Sequence, residues 1–301
     1  MEKYLQIDPE VKSALEQNRS VVALESTVIA HGLPRPQNLK TAVAVEQIVR
    51  EQGPTPATIA VLNGEFCVGL NEVQRELIAN EDGVKKLSTR DIPVAIARRW
   101  NGATTVAATM WIAHRAGIKV FATGGIGGVH RGSLPDVSAD LPQLASTPMI
   151  VVCSGAKIVL DLPATREWLE THSVTVAGYG CDELPAFYSR SSGLPVDIRC
   201  DSPAEVVHIF RTQLELKIES TLLVTVPVPA EAEVEASLLQ RVLDESIAEA
   251  ERERITGKDL TPFLLARMAK QSEGATLRAN IALLENNARV AAQIASALTR
   301  G

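Results

Sequence analysis

A glycine-rich stretch follows an apolar run in the middle of the chain, VFATGGIGGVHRG at residues 120–132. A turn of this kind can let a phosphate approach the backbone closely. The dinucleotide fingerprint G-x-G-x-x-G is not met, because its third glycine would fall at His130. The Walker pattern is not met either, because Ser133 follows Gly132 where a lysine is required. The loop therefore indicates either a tight turn beside solvated basic residues or a pocket for a substrate phosphate, and not a nucleotide-cofactor site.

A carboxylate lies within the apolar segment VVALESTVIAHG, at Glu25. Burying an ionised carboxylate is unfavourable unless it is paired or protonated, so burial would raise the pKa of this group and suit a general acid. Pairing with a nearby cation at the end of a strand is the ordinary structural alternative. His31, just beyond, is either a loop histidine or a second residue of the same site.

A lysine follows the apolar run MIVVCSGA, at Lys157. An amine that is partly removed from water gives up its proton more readily and can attack carbonyl-like carbon. The ordinary alternative is a lysine whose stem is buried while its charge reaches water. The residue type and its position leave both interpretations open.

Two aspartates flank a hydroxyl in the segment PDVSAD, where Asp136 and Asp140 enclose Ser138. Oxygen donors alone suit a hard divalent cation such as Mg²⁺ or Mn²⁺ and do not suit zinc. Capping of a helix N-terminus by Asp and Ser is the ordinary alternative.

Two further polar segments are candidates for substrate contact. KKLSTRDIP supplies Lys85, Lys86 and Arg90 with two hydroxyls, which fits either a phosphate-binding cluster or an ordinary exposed loop. DELPAFYSRSSGLP at residues 182–195 is long and polar, and we expect it to be irregular. Long ordered loops are often functional, whereas a surface excursion or a subunit contact is the alternative.

The composition is that of a soluble globular protein, with 46% hydrophobic and 22% charged residues among 301. A net charge of −6 argues against nucleic acid and anionic membranes as partners. The N-terminal segment has no signal-peptide core, and the longest charge-free stretch, residues 141–156, is shorter than the roughly 20 residues of a membrane span. The four cysteines have neither CxxC nor zinc spacing. We therefore expect a cytoplasmic protein with reduced cysteines.

These residues must be positioned by short β-branched runs that alternate with helical patterns, which is typical of an α/β fold. The near-continuous apolar runs predict buried, mostly parallel strands at residues 20–30, 57–62, 118–123, 149–154, 173–178 and 221–226. Helical patterns occupy an opening segment within residues 1–18 and then residues 38–53, 101–117, 202–217, 231–253, 260–271 and 275–299. We expect one domain over residues 1–301, with a mostly parallel sheet between helical layers (α/β/α) and a helical C-terminal segment.

Taken together, these segments resemble the pseudouridine-5′-phosphate glycosidase family. The resemblance is carried in order by ALESTVIAHGLPRPQN, NGEFCVGL, KLSTRDIP, NGATTVAATMWIAHRAGIKVFATGGIGGVHRG, DVSADLPQLASTPMIVVCSGAKIVLDLPAT, DELPAFYSRSSGLPVD and LRANIALLENNARVAAQIA. It extends from residue 5 to residue 299 without a missing block. Motifs of this length and number are highly specific.

The resemblance implies a reaction and a set of roles. Pseudouridine 5′-phosphate would be split reversibly into uracil and ribose 5-phosphate, with Lys157 as nucleophile, Glu25 as proton donor and Asp136 as ligand of a divalent metal, typically Mn²⁺. The positions that match substrate contacts are Lys86, Val106, Ser138, Ala139 and Asp140, and His130 and Asn280 match further positions of the pocket. A homotrimer is also implied, together with a separate pseudouridine kinase as the partner enzyme of the pathway.

The chemistry explains why a lysine is required. The bond to be cut joins two carbons, so the usual pair of glycosidase carboxylates is insufficient. An amine can instead open the ribose at its anomeric carbon and form an iminium, while the acid supplies a proton. Two alternatives remain: a related enzyme of pigment biosynthesis that makes or breaks another C-glycoside, and a non-catalytic ligand-binding homologue.

Overall fold

The strands of the protein are short and mostly buried. The computed structural model describes residues 2–132 and 136–300, so Ser133 lies outside the described residues. The strands are β1 (Leu5–Ile7), β2 (Val21–Glu25), β3 (Thr55–Leu62), β4 (Glu65–Val68), β5 (Lys85–Leu87), β6 (Gly102–Thr104), β7 (Val120–Ala122), β8 (Val129–His130), β9 (Ile150–Cys153), β10 (Leu160–Asp161), β11 (Thr175–Tyr179), β12 (Ile198–Cys200) and β13 (Leu222–Thr225).

One large sheet organises the described residues. Its strands follow the order β1-β4-β3-β2-β7-β9-β13-β11-β12, with β6 beside β3 and β5 beside β6, and β8 pairs with β10 separately. Neighbouring strands from β3 to β12 along this order are parallel, whereas β3 pairs antiparallel with β4 and β6. The predicted α/β fold with a mostly parallel sheet is confirmed.

Helices flank this sheet and complete the C-terminal segment. They are α1 (Pro9–Glu16), α2 (Gln37–Glu51), α3 (Glu72–Asn80), α4 (Ile92–Ala97), α5 (Val106–Arg115), α6 (Asp140–Leu144), α7 (Leu162–Thr171), α8 (Pro203–Glu215), α9 (Ala236–Glu253), α10 (Leu260–Gln271) and α11 (Ala275–Thr299). Helix α11 packs against α2, α8 and the strands β2, β7 and β9, while α5 packs against β2, β3 and α6. The three C-terminal helices were all predicted, and they are confirmed.

Each predicted strand overlaps an observed one, but the first was predicted too long. The structure ends β2 at Glu25 and forms a π-helical turn over Val28–Gly32. The Ser26 hydroxyl donates to the carbonyl of Ile59 at 2.6 Å and accepts the amide of Thr104 at 2.9 Å. Because this side chain joins neighbouring strands β3 and β6, the chain is anchored where β2 ends.

The helix predicted over residues 101–117 also begins later than expected. Residues 102–104 form β6, and Thr105 caps α5 by accepting the amide of Ala108 at 3.4 Å. Ala103 pairs with Ala60 in β3, which commits this segment to the sheet before the helix starts. In the opening segment, β1 precedes a helix confined to Pro9–Glu16. Strands of two to four residues carry too little periodicity for the sequence to predict them.

One hydrophobic cluster extends from Val11 in α1 to Ala295 in α11. Burial of apolar area on this scale is the main favourable contribution to folding. Among the helices in residues 2–132 and 136–300, none combines the length and the apolar character that a membrane span needs. The segment at residues 182–195 forms isolated bridges and turns but no helix or strand, as predicted.

Candidate active site

A cavity of about 350 Å³ opens at the carboxyl ends of the central strands. We call it the active-site cavity. It is lined by every residue to which the family resemblance gave a role in catalysis, substrate binding or metal binding: Glu25, Lys86, Val106, His130, Asp136, Ser138, Ala139, Asp140, Lys157 and Asn280. His31, the uncertain candidate beyond Glu25, lines it as well.

The topology explains why residues far apart in the sequence meet here. Strands β2, β7 and β9 are neighbours and parallel, so their carboxyl ends lie at one edge of the sheet. The chain passes from β2 to β3 on one side, and β7 lies on the other side of β2. Open α/β sheets bind ligands at such a reversal of strand order. Glu25 ends β2, the glycine loop follows β7, and Lys157 follows β9.

Glu25 is held as a buried acid. Its side chain belongs to a residue only 8% exposed, and the Thr123 hydroxyl donates a hydrogen bond to its Oε1. Burial raises the pKa of Glu25, although the charge of Lys157 and the hydrogen bond from Thr123 act in the opposite direction. A carboxyl group with a raised pKa beside a cavity is suited to donate a proton.

Lys157 is half-buried and is placed by a sharp turn of the backbone after β9. Gly155 has φ +79°, and a Cβ there would lie 2.0 Å from the carbonyl oxygen of Pro185, so the turn requires glycine. The amide of Lys157 donates to the carbonyl of Ile126 at 3.2 Å, which ties the lysine to the glycine loop. Lys157 therefore lies between the glycine loop and the 182–195 segment, which the sequence analysis treated as separate candidates.

Lys86 brings a second cation into the same cavity. Burial lowers the pKa of Lys86, and the charge of Lys157 lowers it further, whereas Asp140 and Glu25 raise it. Of the other cations in its segment, Lys85 is exposed and does not line the cavity, and Arg90 lines it with a largely exposed side chain. The proposed phosphate-binding cluster is thus centred on Lys86.

Asp140 positions backbone rather than presenting an open carboxylate. Its Oδ1 accepts the amide of Ala107 at 2.9 Å in the first turn of α5, and its Oδ2 accepts the amide of Gly127 at 2.8 Å. A Cβ on Gly127 would lie 2.2 Å from Ser138 Oγ, so glycine allows the two segments to touch. The carboxylate caps a helix N-terminus, as the structural alternative anticipated, although that helix is α5 and not its own.

The glycine loop uses its amides for packing. Besides Gly127, the amide of Ile126 donates to Gly155 O at 3.1 Å, that of Val129 to Thr165 Oγ1 at 2.9 Å, and that of His130 to Asp136 O at 2.8 Å. These bonds join the loop to three neighbouring segments. The loop shapes one wall of the active-site cavity, and these four amides do not form a phosphate cradle.

Asp136 is the exposed carboxylate of this region, and His130 lies half-buried beside it. Burial lowers the pKa of His130, while the charge of Asp136 acts in the opposite direction. Within residues 2–132 and 136–300, no group of three or more His, Cys, Asp or Glu side chains could hold a metal ion. A hard cation such as Mn²⁺ or Mg²⁺ is often held by one carboxylate, with water and substrate oxygens completing its shell, and Asp136 fits that kind of site.

Several residues at the site were not singled out from the sequence. Thr123 bonds to Glu25, and Gly257, Thr261 and Leu265 reach the cavity from the segment around α10. The 182–195 segment had been marked as functional or peripheral, and Phe187 places part of it at the cavity. The α10 contribution had no local signal, because an amphipathic helix does not reveal which cavity it covers.

The chain is similar to known proteins over nearly its whole length. Residues 10–297 match the family model described as indigoidine synthase A like protein. A pseudouridine-5′-phosphate glycosidase from Caldanaerobacter subterraneus is 50% identical, over 100% of this chain and 98% of the relative. Another protein of that name, from Solibacter usitatus, is 51% identical over 98% of this chain and 99% of its own length.

Two solved structures share the fold over nearly the whole length of both chains. The prealnumycin C-glycosynthase AlnA in complex with ribulose 5-phosphate has a TM-score of 0.91 and 38% identity, covering 99% of this chain and 98% of its own. An indigoidine synthase A-like protein from Thermotoga maritima has the same score and identity, covering 98% of this chain and 97% of its own. The chain therefore belongs to the indigoidine synthase A-like family, among the pseudouridine-5′-phosphate glycosidases, and the prediction of an enzyme of this family is confirmed.

Proposed function

We propose that the protein cleaves the carbon–carbon glycosidic bond of pseudouridine 5′-phosphate reversibly, giving uracil and ribose 5-phosphate through a covalent bond to Lys157. The observation that carries the proposal is the meeting of a buried carboxyl with a raised pKa, Glu25, and the amine of Lys157 in one cavity. The names of full-length relatives at 50% and 51% identity support the choice of substrate.

The proposed reaction begins with the opening of the ribose ring. The nitrogen of Lys157, as the free amine, attacks C1′; the C1′–O4′ bond breaks, and O4′ takes the proton of Glu25. The alkylated nitrogen returns a proton to the Glu25 carboxylate. Glu25 passes this proton to C5 of the pyrimidine, whose C5=C6 electron pair forms the new C–H bond and leaves a positive charge shared by C6 and N1.

The lone pair of the Lys157 nitrogen then forms a C=N bond as the C1′–C5 bond breaks, and the electron pair of the broken bond restores the C5=C6 double bond. Uracil leaves with the transferred proton on C5. Water then hydrolyses the iminium, which releases ribose 5-phosphate and leaves Lys157 as an ammonium and Glu25 as a carboxylate. One water molecule is consumed, and one proton has moved from Glu25 to Lys157, so a proton exchange with solvent restores the starting state.

The remaining residues of the cavity bind and orient the substrate in this proposal. Lys86 and His130 face the phosphate, together with Ser138 and the backbone of Ala139. Asp140 fixes the glycine loop and the start of α5, where Val106 lines the cavity, and Asn280 contacts the substrate from α11. A Mn²⁺ ion held by Asp136 would stabilise negative charge that develops on substrate oxygens.

The deciding experiment is an assay of uracil release from pseudouridine 5′-phosphate, with and without added Mn²⁺. We expect release of equal amounts of uracil and ribose 5-phosphate, and the reverse synthesis from the two products. Failure to release uracil under either condition would contradict the proposed function.

The C-glycosynthase neighbour favours one alternative, the making or breaking of a different C-glycoside. AlnA is 38% identical to this chain, whereas relatives named for the glycosidase reach 51%. The glycosidase is therefore the better-supported function. If an aromatic acceptor replaced uracil in the synthetic direction with a higher kcat/KM, the alternative would be preferred.

We also propose a homotrimer and a cytoplasmic setting, as the family resemblance implies. The substrate would be supplied by a phosphorylation reaction in a separate protein, a pseudouridine kinase. Light scattering of the purified protein tests the assembly, with a molar mass of three chains of 32.3 kDa as the expected result.

A further inference from the structure

A fully buried amide on α11 joins the ends of two central strands. Asn287 is 0% exposed. Its Nδ2 donates to the carbonyl of Thr123 at 2.9 Å and to that of Gly124 at 3.3 Å, just after β7. Its Oδ1 accepts the hydroxyl of Ser154 at 3.2 Å, just after β9.

These two strand ends carry the groups that meet in the active-site cavity. Thr123 donates its hydroxyl to Glu25, and Ser154 precedes the Gly155 turn that places Lys157. The two ends are also bonded directly, since the amide of Ser154 donates to Gly124 O at 2.9 Å. Asn287 thus bonds to the segment whose Thr123 contacts Glu25 and to the segment that leads into Lys157.

An asparagine amide is chemically suited to this position. Its NH₂ group donates to the two carbonyls just after β7, and its oxygen accepts the hydroxyl of Ser154, so each of these buried polar groups has a partner. The preceding residue shows the contrast: Asn286 is half-buried, and its side-chain hydrogen bonds measure 3.4 and 3.5 Å. The burial and the shorter contacts distinguish Asn287 from its neighbour.

We propose that Asn287 is a positioning residue that sets the placement of the Glu25 carboxyl relative to the Lys157 amine, through Thr123 and Ser154. The chemical roles of the two groups rest on the proposed function, whereas the coupling between them rests on the hydrogen bonds alone. Asn287 itself does not contact the reacting atoms in this proposal.

The first arm of the test compares Asn287→Leu with the matched control Asn286→Leu. Misplacement of reacting groups by a fraction of an ångström lowers the rate, so kcat of the Asn287 variant should fall about 100-fold with little change in KM. The Asn286 variant should stay within about twofold of wild type. Circular dichroism and thermal unfolding identify the folded variants.

The second arm needs no turnover. The Glu25 carboxyl carbon is titrated by ¹³C NMR in both variants, with Glu25→Gln to assign the signal. The hydrogen bond from Thr123 lowers the pKa of Glu25, so a loosened Thr123 should raise the pKa further in Asn287→Leu and leave it unchanged in Asn286→Leu. The charged groups that act on Glu25, namely Lys157, Asp140 and Lys86, are the same in all these proteins.

The outcomes separate the two proposals. A wild-type enzyme that releases no uracil contradicts the proposed function, and the titration still decides the role of Asn287. If Asn287→Leu does not fold, Asn287→Asp and Ser154→Ala replace it, because both keep the size of the side chain nearly unchanged. A folded variant of Asn287 with wild-type kcat and a wild-type pKa of Glu25 would overturn the positioning role.

Discussion

A carboxyl group and an amine, those of Glu25 and Lys157, face one cavity. Burial favours the neutral form of Glu25 and raises its pKa, so the carboxyl keeps its proton at pH values where an ordinary glutamate has lost it. Lys157 reaches the same space from a turn at the end of the next but one strand, where it is only half-buried. The proposed reaction uses the first as proton donor and the second as nucleophile, as opening of a ribose ring demands.

Replacing Lys157 tests the covalent step. Lys157→Arg keeps the positive charge but provides no usable nucleophile, because a guanidinium stays protonated, and Lys157→Ala removes both properties. If the lysine forms the iminium, both variants should lose turnover by about a thousandfold or more and remain folded. Borohydride added during turnover should attach a ribose phosphate to Lys157 of the wild type, as read by mass spectrometry of the digested protein.

The control for this prediction is the Arg variant itself. If the lysine only attracts the phosphate, Arg should keep much of the rate, and the Lys157 peptide of the wild type should stay unmodified. That pair of results would exclude the covalent mechanism.

The buried acid also affects stability in a predictable direction. A raised pKa means that the folded protein binds the proton of Glu25 more tightly than the unfolded chain does. The contribution is favourable below the ordinary value of 4.5 and is lost as the pH rises through the pKa of the folded state. Each unit of upward shift then lowers the free energy of unfolding at high pH by about 1.4 kcal/mol.

Glu25→Gln removes this titration while keeping an acceptor for the Thr123 hydroxyl. We expect the variant to gain stability relative to wild type as the pH is raised from 4 to 9, while it loses activity. Urea unfolding at several pH values measures the difference. Parallel curves for the two proteins would show that Glu25 titrates normally.

At the scale of elements, the ends of strands carry the function and are also the hardest features to predict. The apolar run SVVALESTVIA predicts a strand over residues 20–30, but Ser26 bonds to Ile59 and Thr104, which are 33 and 78 residues away. The sequence shows which segment is apolar, and it does not show which distant partner ends the strand. The long helix α11, with its buried stripe, was predictable because its periodicity is local.

The turn after β9 offers a test of an element end. Gly155→Ala should destabilise the protein by more than about 1 kcal/mol, because alanine is strained at positive φ and its Cβ would meet Pro185 O. Activity of the folded fraction should fall as well, since the turn places Lys157. The urea midpoint and kcat are measured together.

Gly180→Ala is the matched control. Gly180 has φ +67°, but a Cβ there would have no neighbour within 4 Å, so this variant carries the backbone strain without the collision. It should keep wild-type kcat. Equal effects of the two substitutions on stability and kcat would show that the contact with Pro185 is unimportant.

At the scale of the whole molecule, the cavity is assembled from segments that span most of the chain, from Glu25 to Asn280. The family resemblance suggested ten of its residues. Residue type and spacing alone left Glu25, Lys157 and the two aspartates with an ordinary structural alternative, and they gave no signal for Val106, Ala139 or Asn280. The contributions of Thr123, Asn287 and the α10 segment could not be found in the same way. Their roles depend on which helix covers which strand ends, and local patterns do not encode that.

A metal bound at Asp136 would lie in a cavity that only the folded chain forms. We expect EDTA to abolish activity and Mn²⁺ to restore it better than Zn²⁺, because the segment PDVSAD supplies only oxygen donors. Binding of Mn²⁺ should also be visible without substrate, by electron paramagnetic resonance. Asp136→Ala should lose both the binding signal and the recovery, and full activity of the chelated wild type would exclude the site.

Binding of a phosphorylated substrate depends on a local positive charge in the cavity of a protein whose net charge is negative. The chain carries a net charge of −6, so a dianionic substrate must be attracted by local cations, and Lys86 is the more buried of the two cations that its segment places at the cavity. Each charge-assisted hydrogen bond that free pseudouridine cannot make should lower kcat/KM at least about tenfold relative to the 5′-phosphate.

Lys86→Met, which keeps the length of the side chain, should remove much of that preference. Lys85→Met is the control, since Lys85 is exposed outside the cavity and should leave the preference unchanged. Comparable kcat/KM for the two substrates in the wild type, or equal effects of the two methionine variants, would contradict a phosphate site at Lys86.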